Sequence, residues 1–472
     1  MSQTLSRKRF LQSGAAVGGA VAIGGPLSAL AARQAEGRAP ERDPGYGPLR
    51  PTREQGGEKV FLALPAGFQY RVVSRENDPS LAFFTGESEP RTVPLPGVFD
   101  GMGAFQGPGN RTVLIRNHEN RRRAGEKAVV VPDPLRYDPN PTYVAGNTRL
   151  VVDRNRRAAG PSVHVLGGTD VNCAGGETPW GSWITCEEVF VAAGTIVGGT
   201  ASLKHGYCFE IDASSEGPVK AEPIKAAGAF SHEAVVFLDG ILYETEDRRV
   251  TAGFYRYIAD QAPTRAGDLA RSTGVLQSIR RVGVPNFDAD TAIVGETFKV
   301  DWVTIATPDP AADTVRVEGQ SKGAIGFERL EGCWVGGDKI YFDATDGGPA
   351  GLGQLWEYSP GDDELTLVYQ STSAADLENP DNVVVVPRTG DVFLQEDSPG
   401  EQFVRGVTEE GRIYDFAQTI LNTSEFCGGC FSPDGHTFFL NQQGGRGLDP
   451  AEIDEEGGLT YAIWGPFARR KQ

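Results

Sequence analysis

A sixteen-residue stretch, CAGGETPWGSWITCEE, combines the side chains that most often bind metal ions. It runs from Cys173 to Glu188 and holds two cysteines and three glutamates, with a Pro-Trp-Gly turn between the two thiols. Thiols and carboxylates in this arrangement are compatible with a disulfide, a zinc site or ligands for another metal. Glu187 and Glu188 point to opposite faces of the strand predicted for SWITCEE, so only one of them faces inward. We predict that the inward residue is Glu188.

Three shorter motifs carry further chemistry. Two His-Glu pairs, NHE (117–119) and SHEAV (231–235), lack the spacing of a zincin helix and are also compatible with hydrogen-bonded structural units. In FERLEG (327–332), Arg329 and Glu331 are two apart and share one face of a strand. The arginine could hold an anionic oxygen while the carboxylate holds a metal, or the two could form a surface ion pair.

Six short apolar runs that end in acids or amides indicate the elements that position these residues. They are TVLIRNHE (112–119), SWITCEE (182–188), ILYETED (241–247), KIYFDATD (339–346), DVFLQED (391–397) and TFFLNQQ (437–443). Most follow a tight turn and precede another strand-like run, which is typical of the blades of a β-propeller. The sequence therefore predicts an all-β fold, a six-bladed β-propeller with inserted loops, the largest insertion lying at about 250–330.

Acidic residues at the ends of these runs would meet near the propeller axis if the runs are equivalent inner strands. The acids concerned are Glu119, Glu187, Glu188, Glu246, Asp247, Asp343, Asp346, Glu396 and Asp397. Crowded carboxylates repel one another, and bound cations relieve the repulsion. Oxygen ligands favour Ca²⁺ or a trivalent iron. The alternative is that each acid simply lies in a solvated turn.

Composition and charge limit the remaining possibilities. The 472-residue chain contains 61 glycines and 31 prolines and has few long helical patterns, which favours a mostly β structure. Its formal net charge of −18 argues against nucleic acids and anionic membranes as partners. Among its six cysteines, Cys427 and Cys430 form a CxxC, but the second CxxC of a zinc ribbon is missing.

The N-terminal residues have the pattern of an export signal. Basic residues in SRKRFL precede a run of small apolar residues and an A-x-A cleavage site at 29–31. Arg7-Lys8 resembles the twin-arginine pair of signals that export folded proteins. We predict an export signal over 1–31, a linker or arm over 32–58 and one catalytic propeller domain over 59–472. The protein is then periplasmic or secreted, with the export machinery as a partner, no stable membrane anchor and a monomeric state.

The motifs taken together resemble the PhoX family of exported alkaline phosphatases. The resemblance is carried, in order along residues 100–467, by RNHEN, CAGGETPWGSWITCEE, SHEAV, YETEDR, FERLEG, ENPDNVVVVPRTGDVFLQED, FSPDGHTFFLNQQ and AIWGPF. It implies a six-bladed propeller with a central site of ferric (Fe³⁺) and calcium (Ca²⁺) ions that hydrolyses small phosphate esters.

The resemblance also implies roles for individual residues. Cys173 matches the iron-ligating cysteine, and Arg329 matches the arginine that grips phosphate, with Glu331 beside it in the catalytic site. The metal ligands it implies are Cys173, Glu119, Glu188, Glu233, Glu246 and Glu331. Glu396, Asp397 and the pair Asp381-Asn382 belong to the same cluster or to a structural calcium site. Cys208, Cys333, Cys427 and Cys430 are not part of the family pattern.

Two other functions remain compatible with the residues alone. One is a calcium-dependent propeller hydrolase of lactones or organophosphate triesters, whose site would have no cysteine ligand. The other is a non-enzymatic propeller that binds calcium for stability and presents a ligand surface.

Overall fold

Short antiparallel strands form almost all of the secondary structure. The computed structural model describes residues 45–123, 125–249, 251–444 and 457–467. The predicted export signal (1–31) and the first part of the predicted arm (32–44) lie outside these residues. From residue 49 the predicted arm contributes an edge strand, so it is part of a sheet.

The strands of the described residues are listed here in chain order. They are β1 (Leu49–Thr52), β2 (Leu62–Pro65), β3 (Gln69–Arg75), β4 (Pro79–Ala82), β5 (Arg91–Pro94), β6 (Phe99–Gly107), β7 (Arg111–His118), β8 (Ala145–Val152), β9 (Ser162–Thr169), β10 (Asn172–Glu177), β11 (Ser182–Glu187), β12 (Ile196–Val197), β13 (Thr200–Ala201), β14 (Cys208–Asp212), β15 (His232–Leu238), β16 (Ile241–Glu246), β17 (Phe254–Ala259), β18 (Gly274–Arg281), β19 (Thr297–Thr304), β20 (Leu330–Gly336), β21 (Lys339–Ala344), β22 (Gln354–Ser359), β23 (Glu364–Gln370), β24 (Pro380–Val385), β25 (Val392–Glu396), β26 (Phe403–Val407), β27 (Ile413–Thr419), β28 (Phe426–Phe431), β29 (Thr437–Gln442) and β30 (Leu459–Trp464).

Helices are few and short in the described residues. Two are α-helical, α1 (Asp268–Arg271) and α2 (Val315–Ser321), and both lie in the segment predicted to be an insertion. Three single turns of 3₁₀-helix occur at Asp133–Leu135, Lys225–Ala227 and Ala289–Thr291. No helix of the described residues is both long and apolar enough to span a bilayer.

The strands form five sheets and one two-stranded hairpin, β12-β13. The sheets have the orders β1-β2-β27-β26-β25-β24, β5-β4-β9-β8-β7-β6, β10-β11-β14, β15-β16-β17-β18-β19-β23-β22-β21-β20 and β28-β29-β30-β3. In the nine-stranded sheet, β19 from the predicted insertion pairs with β23 and joins two meanders into one sheet. The early strand β3 pairs with the late strand β30, which ties the N-terminal part of the described chain to its C-terminal part.

Six strands meet around a common centre. β6, β10, β15, β20, β24 and β28 contact one another in that order, and β28 contacts β6 to close the ring. Each also pairs with the strand that follows it in the chain, so the sheets radiate from the ring. The fold is therefore all-β with a propeller-like arrangement, as the sequence predicts in outline.

The six apolar runs lie one strand farther from the centre than we expected. They form β7, β11, β16, β21, β25 and β29, and each pairs with the innermost strand that precedes it. The runs are equivalent to one another, but the central ring is formed by the preceding strands. The hydrophobic pattern identified the second strands because these are buried on both faces.

Candidate metal centre and active site

The second residue of every innermost strand places a reactive side chain at the centre. These residues are Asp100, Cys173, Glu233, Glu331, Asp381 and Cys427. Each strand also has a register shift within its first five residues. A bulge of this kind re-aims a side chain away from the ladder and is often found beside active sites. The same irregularity occurs in all six strands, and five of the six residues line the cavity described next, whereas the Cys427 thiol donates to Phe99 O at 3.1 Å.

A cavity of about 270 Å³ lies at this edge of the ring. Its lining is dominated by acids: Asp100, Glu119, Glu188, Glu233, Glu331, Asp381, Asp397 and Glu425. Three arginines, a thiol and an amide complete it: Arg121, Arg123, Arg329, Cys173 and Gln443. Carboxylates outnumber cationic side chains by more than two to one, so the cavity favours positively charged ligands.

Two groups within the lining have the spacing of a metal site. Cys173, Glu188 and Glu233 form one group, and Glu233, Glu331 and Asp381 form the other. In each, one ligand atom from every residue lies within 4.8 Å of the other two. Because Glu233 belongs to both groups, they form a continuous cluster of possible ligands.

Some carboxylate oxygen atoms of the cavity lining are buried without a hydrogen-bond donor. Oε2 of Glu233 and Oδ1 of Asp100 have no partner. Leaving a buried acceptor unpaired costs about 1–3 kcal/mol, and native proteins usually satisfy such atoms. Cations bound among the carboxylates would satisfy them, so the residues fit a metal cluster.

Burial and mutual repulsion favour the protonated forms of these groups when no cation is present. Burial, followed by the charge of Glu188, raises the pKa of Glu233 well above its ordinary value. Burial and then Asp397 raise the pKa of Asp381 to about 7. Burial and then Glu233 raise the pKa of the Cys173 thiol. A bound cation reverses this preference, because it favours the ionised ligand.

Arg329 lies at the entrance to β20, next to the carboxylates. It has a left-handed backbone conformation, with φ of 50°. Its Nε donates to Asp247 Oδ1 at 2.9 Å, and its Nη2 bonds Glu331. Burial opposes its charge, but Glu331 and Asp247 outweigh that effect and raise the pKa of Arg329. Arg329 and Glu331 thus form an ion pair inside the cavity, and not on the outer surface.

The structure separates the two members of each His-Glu pair. Glu119 and Glu233 line the cavity, whereas His118 and His232 are buried away from it. His118 contacts Gly97 O at 2.9 Å and the Thr148 hydroxyl at 2.8 Å, as a structural histidine would.

Two predicted ligands lie outside the cavity lining. Glu246 accepts hydrogen bonds from the Tyr255 hydroxyl at 2.7 Å and Gly253 N at 3.0 Å, and it pairs with Arg316. Glu396 is held by Arg405, whose Nε donates to it at 2.8 Å. Both carboxylates are buried, and each is paired with an arginine that does not line the cavity.

Of the two neighbouring glutamates in CAGGETPWGSWITCEE, Glu188 lines the cavity. Glu187 points the other way and accepts hydrogen bonds from Gly206 N and Tyr207 N, with His205 Nδ1 at 2.7 Å. The six cysteines, all within the described residues, form no disulfide.

Sequence reasoning missed several lining residues, namely Asp100, Glu425, Arg121, Arg123 and Gln443. A recurring pattern, a reactive residue followed by a small one, could have identified Asp100. The reactive residue of five innermost strands is followed by glycine or alanine, and in the sixth Asp381 is followed by Asn382. Small residues are needed there because the strands approach closely: a Cβ on Gly101 would lie 2.5 Å from Ala174 Cα.

Comparisons with known proteins identify a family and a similar fold. The model of the family described as alkaline phosphatase PhoX matches residues 45–445. The fold is similar to that of Pseudomonas fluorescens PhoX in complex with vanadate, a transition-state analogue, with a TM-score of 0.63 and 18% identity over 89% of this chain and 97% of that one. Periplasmic gluconolactonase PpgL of Pseudomonas aeruginosa has a TM-score of 0.36 and 14% identity, over 79% of this chain and 90% of that one. No curated protein sequence gives a significant match. Because the family match spans most of the chain, this protein belongs to the PhoX family of alkaline phosphatases.

Proposed function

We propose that the protein hydrolyses phosphate monoesters in the central cavity with the help of bound iron and calcium ions. The observation that carries the proposal is the cluster of buried carboxylates, one thiol and Arg329 in a single cavity of a PhoX-family chain. Family membership favours this reaction over lactone or triester hydrolysis and over a purely structural role for calcium.

The donor set supports both metals. A thiolate among oxygen ligands favours a transition metal such as iron, and Cys173 with Glu188 and Glu233 offers that combination. The remaining carboxylates suit calcium, which binds six to eight oxygens. When bound, such cations neutralise phosphate oxygens, activate an oxygen nucleophile and stabilise the leaving alkoxide.

The proposed ligands are the predicted residues that line the cavity, together with two acids added by the geometry. They are Cys173, Glu119, Glu188, Glu233, Glu331, Asp381 and Asp397, with Asp100 and Glu425. We leave out Glu246 and Glu396, because each is already paired with an arginine outside the lining.

Arg329 is the proposed phosphate-binding residue. Its guanidinium presents a planar fork that matches two non-bridging oxygens of a phosphate group. In the structure the fork is occupied by Asp247 and Glu331, and an entering phosphate would compete for it. The raised pKa keeps Arg329 charged at alkaline pH, which suits a phosphatase that works there.

Two wider predictions belong to the same proposal. The ring of six innermost strands supports six blades, each with one innermost strand. The export pattern in residues 1–31 supports a periplasmic or secreted monomer. Cell fractionation of the full-length chain and of a variant in which Arg7 and Lys8 are both alanine tests export. Light scattering of the purified protein tests the monomer.

Metal analysis combined with a phosphatase assay tests the function. We expect the purified protein to contain iron and calcium and to hydrolyse nitrophenyl phosphate, and chelation of calcium to abolish the activity. Cys173→Ala should lose iron and activity together, whereas Cys333→Ala, a buried cysteine outside the cavity lining, should keep both. Calcium without iron, and no hydrolysis of the monoester, would contradict the proposal.

A further inference from the structure

A second cluster of metal-binding side chains lies in the protein interior, away from the cavity lining. It consists of Cys186 on β11, Cys208 on β14, His232 on β15 and Glu244 on β16, and none of these side chains is exposed. None of the four lines the cavity. The cysteines belong to one sheet and the other two residues to the next, so the cluster lies between two sheets.

The two thiols have a spacing that suits a shared metal ion. Cys186 and Cys208 are directly opposite each other on neighbouring strands, and their sulfur atoms are 3.6 Å apart. Two thiolates bound tetrahedrally to one zinc ion at about 2.3 Å each lie about 3.7 Å apart. A disulfide would require about 2.05 Å.

The histidine is oriented so that its Nε2 faces the cluster. Nδ1 of His232 faces the carbonyl oxygens of Gly206 at 3.1 Å and Phe230 at 3.3 Å, which can only accept hydrogen bonds. Nδ1 therefore carries a proton, and Nε2 is the ring nitrogen that faces Glu244 and the cluster, where a metal ion would replace the proton shared with Glu244. The ring is also stacked on Phe230, 3.6 Å between centroids. Metal-binding histidines are typically oriented by such a backbone hydrogen bond from the other ring nitrogen.

An unpaired carboxylate oxygen of Glu244 gives independent support for a bound cation. Oε2 of Glu244 lies 2.8 Å from Nε2 of His232, whereas Oε1 is buried and has no hydrogen-bond partner. Ligand atoms of Cys208, His232 and Glu244 all lie within 4.8 Å of one another. A cation at this point would be bound by Glu244 and would satisfy its unpaired oxygen.

We propose that Cys186, Cys208, His232 and Glu244 bind one zinc ion. Two thiolates, one imidazole and one carboxylate are ligands that zinc commonly takes in proteins. Complete burial leaves no open position for substrate, so the site is structural. The ion cross-links two adjacent sheets immediately behind Glu233, which follows His232 in the chain and points into the cavity.

Elemental analysis of variants of the full chain, with Co²⁺ as a spectroscopic probe, tests this site separately from the cavity. We expect about one zinc ion per chain in the wild type and in Cys173→Ala, which removes the only thiol of the cavity lining. After exchange with Co²⁺, the Cys173→Ala variant should keep the visible bands of thiolate-bound tetrahedral cobalt. Cys208→Ser in the same background should lose them and lower zinc content at least tenfold.

Two further variants keep the test decisive. Glu244→Gln preserves the shape of the side chain and should also weaken zinc retention if Cys208→Ser does not fold. Cys333→Ser removes a buried thiol outside the cluster and should change neither the zinc content nor the visible bands of the cobalt-exchanged protein. A Cys186–Cys208 disulfide in the unreduced protein would overturn the proposal, as would two free thiols without zinc. Zinc that is lost from Cys173→Ala but kept by Cys208→Ser would also overturn it.

Discussion

The repulsion between cavity carboxylates can be measured at Asp381 in the metal-free protein. Asp381 lines the cavity, and burial followed by the charge of Asp397 raises its pKa from the ordinary 3.8 to about 7. The native state therefore binds a proton at this group that the unfolded chain releases above pH 4. Because the native state binds more protons in this window, stability falls as the pH rises.

The size of the effect follows from the two pKa values. A tenfold change in proton affinity corresponds to about 1.4 kcal/mol, so ionising Asp381 lowers the free energy of unfolding by about 4 kcal/mol above pH 7. About 3 kcal/mol of this loss falls between pH 5 and pH 8. Asp381→Asn cannot ionise, so this part of the pH dependence should disappear from the variant.

Urea unfolding of chelator-treated protein at pH 5 and pH 8 measures the difference. We expect metal-free Asp381→Asn to be more stable than the wild type at pH 8, with a smaller difference at pH 5. Added calcium should stabilise the wild type more than the variant, because the variant has lost a proposed ligand. Asp338→Asn, an exposed change at a turn, should behave as the wild type. Equal pH dependence in the wild type and Asp381→Asn would refute the reasoning.

Three other substitutions test the geometry. Gly332→Ala would bring a Cβ to 2.4 Å from Val383 N, so we expect a loss of about 1–3 kcal/mol in urea unfolding; unchanged stability would mean that β20 and β24 do not meet there. Glu233→Gln should lower the metal content measured by elemental analysis, and Glu396→Gln should not, because only Glu233 lines the cavity; equal losses would contradict this assignment. Arg329→Lys removes the bidentate fork and should lower kcat/KM for nitrophenyl phosphate roughly tenfold or more, and an unchanged value would exclude a clamping role.

The sequence predicted the class of fold and the family, but it did not identify the innermost strands. These strands are rich in small residues, as in NCAGGE and FCGGCF, and such segments resemble turns. Their composition is imposed by the meeting of six backbones: a Cβ on Gly176 would lie 1.8 Å from Val235 O. Crowding at the centre is a tertiary effect, and local propensity does not record it.

The site was predictable where a motif fixed both the residue type and its direction. Strand alternation allowed only one of Glu187 and Glu188 to face inward, and the family pattern indicated Glu188, Cys173 and Arg329. Glu246 and Glu396 have the same local appearance as the cavity acids, at the ends of equivalent strands, yet they pair with Arg316 and Arg405, which do not line the cavity. Which acids reach the cavity depends on tertiary contacts, so strand position alone could not separate the two groups.

Two adjacent positions in each innermost strand therefore have linked requirements. The second residue supplies the reactive side chain, and the next residue must be small so that the strands can approach. Directly below the ligands, Gly101, Ala174 and Gly332 help to line a void of only about 10 Å³, which is room for about one water molecule. The space beneath the candidate ligands is therefore small at this point in the centre. A larger residue at one of these positions would push apart the same backbones that carry Asp100, Cys173 and Glu331, so metal binding and core packing cannot vary independently in this fold.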